Sequence, residues 1–204
     1  MLRVTYKGGE GSGNFQHAGR PGEVGGSSAK WSFSATNPFR GAKAYPISDE
    51  DRSTISKAMN SVFKVVPSLG NVQVAVGMGP TLATWTTHKK TGDVFIIIDT
   101  HILDGTIKKE SPERLKEWFV TDKADHASIL EHVAAHECGH LWGKDHKDIM
   151  ANWDKLMTDH PNLMTEYGWT VSQPGESFAD HFARFATGLS QPPALEDWFL
   201  ENVK

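Results

Sequence analysis

The chain has 204 residues, enough for one domain with a substantial core. A formal net charge of −4 provides no attraction for nucleic acid or an anionic membrane surface, and no apolar run is long enough to span a bilayer. The single cysteine, Cys138, excludes an intrachain disulfide, and the opening MLRVTYKGGEGSGNF lacks the apolar stretch of a secretory signal, so a cytoplasmic protein without a signal peptide is expected.

Residues 7–30 are rich in Gly and Ser, and Phe15 and Val24 are their few apolar anchors. Such a segment buries too little apolar surface to offset the entropy of ordering, which predicts a flexible arm. The expected organisation is an arm over 1–40 and one domain over 41–204. Ser48, followed by Asp49, Glu50 and Asp51, reads as a capped helix start, and Ile55, Met59, Val62, Phe63 and Val66 recur at helical spacing up to Pro67. Strand-like runs follow at Val72–Val76, Thr81–Thr87 and Val94–Ile98, with HKKTGD (88–93) as a turn. A short helix is expected over 112–119.

A longer helix then carries Ile129, Leu130, Val133, Ala134, Leu141 and Trp142 as its apolar positions. Asp122 is its expected cap and Gly143 its expected end. Two further helical patterns, 174–188 and 193–203, each have a proline near the start. The fold class predicted is α+β, with a small mixed or antiparallel sheet beside a helical half.

On the longer helix, His136-Glu137-Cys138-Gly139-His140 spells H-E-x-x-H. Positions four apart on a helix differ by only about 40° in direction, so both imidazoles can reach one metal ion. Glu137, on the flank of that face, is placed to take a proton from a water rather than to bind the metal. Cys138 lies about 200° round from His136 and is expected in the core. His132, one turn earlier, could share a metal with His136 only by displacing His140. Zn2+ is the ion this pattern predicts, and a catalytic zinc takes a third protein ligand.

Two positions compete for that place. Residues 136–146, HECGHLWGKDH, match H-E-x-x-H-x-x-G-x-x-H, which looks like the metzincin pattern. That resemblance implies a chain turn at Gly143, His146 as third ligand, and a methionine turn at Met164 or Met157. The alternative lies in 163–185, LMTEYGWTVSQPGESFADHFARF, with a Tyr-Gly pair followed by E-x-F-A-D-x-F on a helix. Over roughly residues 125–187 the chain resembles the gluzincin metallopeptidases, in particular the lethal-factor-like catalytic domains. This second resemblance implies a zincin-like fold, Glu176 as third zinc ligand, Asp180 as an acid orienting a ligand histidine, and Tyr167 as a hydrogen-bond donor to the oxyanion. It demands more residues in order than the metzincin match and is favoured over it. Phe178, Phe182 and Phe185 are the expected core stripe of that helix.

The implied activity is hydrolysis of peptide bonds in a protein or peptide substrate, with an edge strand from the 81–98 region pairing with the extended substrate. Residues 8–27, GGEGSGNFQHAGRPGEVGGS, resemble a glycine-rich stretch of phage and prophage proteins, notably head-morphogenesis proteins and toxins fused to them. A phage or prophage origin, virion association and phage structural proteins as partners are the corresponding expectations. The rival expectation is a virion-associated or toxin-delivery component whose zinc site is mainly structural; an intact Glu137 argues against it, because a structural site needs no base.

Overall fold

The computed structural model describes residues 30–38, 42–78, 82–103, 123, 125–171 and 173–203. The arm expected over 7–30 therefore falls almost wholly outside the described residues, as does the helix expected over 112–119. Folded structure nevertheless starts before the expected boundary at 41. Strand β1 (Trp31–Phe33) lies parallel to β4 (Val72–Val76), in register Trp31 with Val72. Three residues with two aromatics are too short a signal for sequence periodicity, and only pairing with β4 reveals the strand.

The main sheet is mixed, in the order β1-β4-β6-β5. Strand β6 (Val94–Ile98) runs parallel to β4, and β5 (Ala83–Thr87) runs antiparallel to β6 along the edge. Between β5 and β6 the chain turns at 88–93 as expected, with Gly92 at φ 76°. A separate two-stranded antiparallel sheet joins β2 (Thr36–Asn37) to β3 (Ala42–Lys43).

Seven α-helices are described. Helix α1 (Asp49–Val65) is capped by Ser48, whose hydroxyl accepts the Asp51 amide at 3.0 Å, and it buries Ile55, Met59 and Val62. After α2 (Thr100–Leu103) comes α3 (His126–Asp145). Its cap is Asp125, not Asp122, with the carboxylate accepting the Ser128 amide at 2.8 Å. Nor does α3 end at Gly143. It continues for two more residues, and Gly143 serves close packing instead, since a Cβ there would sit 3.0 Å from Met150 Sδ. Helices α4 (Lys147–Asp159), α5 (Glu166–Val171), α6 (Pro174–Thr187) and α7 (Pro193–Asn202) complete the fold, with a 3-10 turn at Pro161–Leu163.

From Ile129 to Gly143 every residue of α3 except Glu131 and His140 is buried. A helix covered on all sides is the centre of its domain. Helix α1, strands β5 and β6, and α6 all pack on α3, in one core that runs from Val74 and Ile96 through Leu130 and Cys138 to Trp153, Phe178, Phe182 and Phe199. Ala75, Phe95 and Ile97 form a small cluster on the opposite face of the sheet. Phe178 and Phe182 are fully buried as expected, and Phe185 is half-buried against Phe199. No helix among the described residues is long and apolar enough to cross a membrane.

Candidate metal centre

His132, His136 and His140 recur at four-residue spacing along α3, and Glu176 and Asp180 recur at the same spacing along α6. The two rows meet in opposite order. His132 pairs with Asp180, His136 with both acids, and His140 with Glu176, so the helices run antiparallel across the site.

His136 Nε2, His140 Nε2 and Glu176 Oε2 converge. The two nitrogens are 3.0 Å apart, and the carboxylate oxygen lies 3.2 Å from His136 and 3.1 Å from His140. His140 and Glu176 are partly accessible, and the side chain of the otherwise buried His136 keeps 11 % exposure, as an open coordination position requires. Glu176 stands in the first turn of α6, where the helix N-terminus favours a carboxylate. That turn is held from behind by buried Trp153, whose indole N–H donates to the Pro174 carbonyl at 2.9 Å.

The chemistry of this donor set fits a cation. On its far side His136 Nδ1 lies 2.8 Å from Asp180 Oδ1, so Nδ1 carries the proton and donates it to the acid. The neutral ring then turns a bare lone pair towards the Glu176 carboxylate, and only a proton or a metal ion can separate the two favourably. Burial alone would pull the His136 pKa down. The hydrogen bonds to Asp180 and Glu176 outweigh it and raise the pKa well above the ordinary histidine value. Glu176 is the mirror case: burial pushes it up, and the two imidazoles hold it below the usual carboxylate range.

Asp180 lies behind His136 and has more partners than the one ligand histidine expected of it. It is 1 % exposed and accepts from His136, from His132 Nε2 at 3.2 Å, and from the Thr165 hydroxyl at 2.7 Å. A second group of possible ligands, His132, His136 and Asp180, lies wholly within this cluster and shares only His136 with the first group. Its contacts are those of a hydrogen-bonded shell behind the first group.

Glu137 is 7 % exposed, and burial raises its pKa. The backbone N–H of Trp85 on β5 is near enough to its carboxylate to favour the charged form slightly, against the larger effect of burial. Leu82 and His88 direct their backbone groups at β6, with Asp99 N to Leu82 O and His88 N to Asp93 O both at 2.8 Å. By alternation Trp85 directs its own backbone away from β6, so the outward side of the strand faces Glu137. Tyr167 on α5 has its ring centroid 6.4 Å from that of His136. Burial, then the charge of Glu176, push its phenol up to about 12, which keeps it protonated as a donor at neutral pH.

His146 does not join the pair. It caps the end of α3, stacks on Trp142 with centroids 3.8 Å apart, and its Nδ1–H donates to the Trp142 carbonyl at 2.7 Å. The metzincin alternative needed the chain to turn at Gly143, and the unbroken helix there carries His146 elsewhere. Cys138 is fully buried and its thiol pKa is raised by burial, as its position round the helix implied.

The sequence marks His132 only as an alternative metal ligand, not as a partner of Asp180. Thr165 is not singled out there, although it lies in the segment that carries the gluzincin resemblance, and the Trp85 amide is backbone, which a sequence does not display.

No protein-family model, curated protein or solved structure matches this chain. Its function is therefore argued from the geometry above.

Proposed function

We propose that this protein is a zinc-dependent endopeptidase of zincin-like, gluzincin type, in which His136, His140 and Glu176 hold the metal. The observation that carries the reading is the convergence of those three donor atoms beside a buried carboxylate that is not one of them. Two imidazoles and one carboxylate are a donor set suited to zinc. Bound there, zinc would supply Lewis acidity for a peptide carbonyl and bring the pKa of a water to about 7.

The chain's own groups divide the remaining work. Glu137, with its pKa raised by burial, takes the proton of the attacking water and returns it to the leaving amine. Tyr167 keeps its phenolic proton and donates to the oxyanion that develops on the carbonyl oxygen. Asp180 fixes the tautomer and direction of His136. The outward edge of β5 is suited to pair with an extended substrate peptide, with the Trp85 amide on the side of Glu137. A phage or prophage setting remains the expectation from residues 8–27 alone.

The test is a Glu137→Gln variant assayed for zinc and for peptide cleavage. Retained zinc, near one per chain, with cleavage abolished is the expected result. Normal cleavage by this variant defeats the mechanism. A wild-type protein that holds zinc firmly but cleaves no member of a broad peptide library favours the structural-zinc alternative.

A further inference from the structure

The hydroxyl of Thr165 is engaged on both sides. The Gly168 N–H donates to Thr165 Oγ1 at 3.2 Å, and Thr165 Oγ1 lies 2.7 Å from Asp180 Oδ2. The direction of each bond is fixed, since an amide N–H only donates and an ionised carboxylate only accepts. The hydroxyl proton must therefore go to Asp180. Thr165 also donates its own N–H to Ser177 Oγ at 3.1 Å, which pins the residue to α6. The assembly is dry: Thr165 is 7 % exposed, Asp180 1 % and Ser177 0 %.

Tyr167 is carried between these attachments. Accepting the amide three residues ahead is the geometry of a helix cap, and α5 begins at Glu166. A helix of six residues has little stability of its own, so its direction depends on such a cap and on packing. The packing is close. A Cβ on Gly168 would lie 2.8 Å from Ser177 Cβ and 3.2 Å from the Ser177 backbone nitrogen. The segment thus rests directly on α6 at Ser177, the residue after Glu176, and reaches Asp180 about one turn further along.

We infer that Thr165 is a positioning residue: its hydroxyl ties the segment bearing Tyr167 to Asp180, the same buried carboxylate that aims His136. One anchor thereby sets the phenol and the metal-facing imidazole relative to each other. The roles of Tyr167 and His136 rest on the proposed peptidase function; the tie itself rests on the hydrogen bonds and the Gly168 contact. Valine at 165 would keep the shape and remove both bonds, leaving a buried carboxylate oxygen and a buried amide unpaired. Serine would keep both bonds.

The experiment compares Thr165→Val and Thr165→Ser in the full chain. Amide exchange in the metal-free protein is the first readout, and it requires no activity. Exchange across 166–170 should quicken by about tenfold or more in Thr165→Val and stay near wild type in Thr165→Ser, while the middle of α3 is unchanged in both. Peptide cleavage at saturating zinc is the second. Thr165→Val should lower kcat by roughly 10- to 100-fold with KM little altered, and Thr165→Ser should stay within about threefold of wild type. In a Tyr167→Phe background, Thr165→Val should cost less than about threefold further, because the two act in series.

Unchanged exchange over 166–170 in Thr165→Val overturns the inference. So does a kcat loss of the same size with and without the Tyr167 hydroxyl, or a Thr165→Ser variant as impaired as valine. The serine variant decides the matter alone if Thr165→Val does not fold. A wild-type protein without peptidase activity would defeat the proposed function, and the exchange measurement would still judge the tie.

Discussion

Ala179 Cα lies 3.0 Å from the point where a Cβ on Gly139 would stand, so the backbones of α3 and α6 touch at the x-x of H-E-x-x-H. Phe182 closes the same point at 3.1 Å. This contact, three residues after Glu176 and one before Asp180, lets both acids reach across to the histidine row. Gly139→Ala is therefore expected to destabilise the protein by about 1–3 kcal/mol through overpacking, outweighing alanine's helix preference of about 1 kcal/mol. Zinc affinity should fall with it as the helices part. Urea unfolding and zinc titration of the variant check both, and a stability gain would show that the helices give way without cost.

The third ligand is separated by two substitutions. Glu176→Ala is expected to lose zinc almost completely, and His146→Ala to retain it, because His146 is turned onto Trp142. Asp180→Asn should fall between, with affinity reduced roughly 10- to 100-fold as for other changes behind a ligand. Competition with a chromophoric chelator measures all three. Zinc loss from His146→Ala with retention in Glu176→Ala would reverse the assignment.

Tyr167→Phe tests the oxyanion donor. The phenol lies beside the site and stays protonated at neutral pH. If it meets charge only in the transition state, kcat and kcat/KM should drop together by on the order of 10²- to 10³-fold, with KM and zinc content preserved. Steady-state kinetics with metal analysis decide it. Wild-type kcat in this variant would leave Tyr167 a packing residue.

Asp125 carries a pH prediction. The Ser128 amide holds its carboxyl below the ordinary value of 3.8. A group with a depressed folded pKa contributes stability that is present above the unfolded pKa and lost as pH falls through the folded one. Asp125→Ala should therefore cost about 1 kcal/mol near pH 7, the usual worth of a cap. The difference from wild type should shrink as pH falls below about 4. Denaturant unfolding across pH 2.5 to 7, as an order-of-magnitude window around that value, checks it, and a difference independent of pH would remove the carboxylate from the cap.

Local features carried in the sequence were those decided within a few residues. The Ser48 cap, the α1 stripe, β4 and β6, the turn at 88–93 and the inward direction of Cys138 all follow from spacing along one element, where helix or strand geometry alone places the side chain. So does the common face of His136 and His140. Where two signals competed locally the reading strayed by a few residues, as in Asp122 for Asp125 and Gly143 as a helix end. Long-range contact decided the rest. Strand β1 exists only because β4 lies beside it. The approach of Glu176 to the histidines depends on the absence of a side chain at Gly139, and the engagement of Thr165 with Asp180 depends on α5 lying against α6. Spacing along a helix tells which side chains share a face, but whether another element comes close enough to meet that face is set by the packing of whole surfaces, which no short stretch of sequence contains.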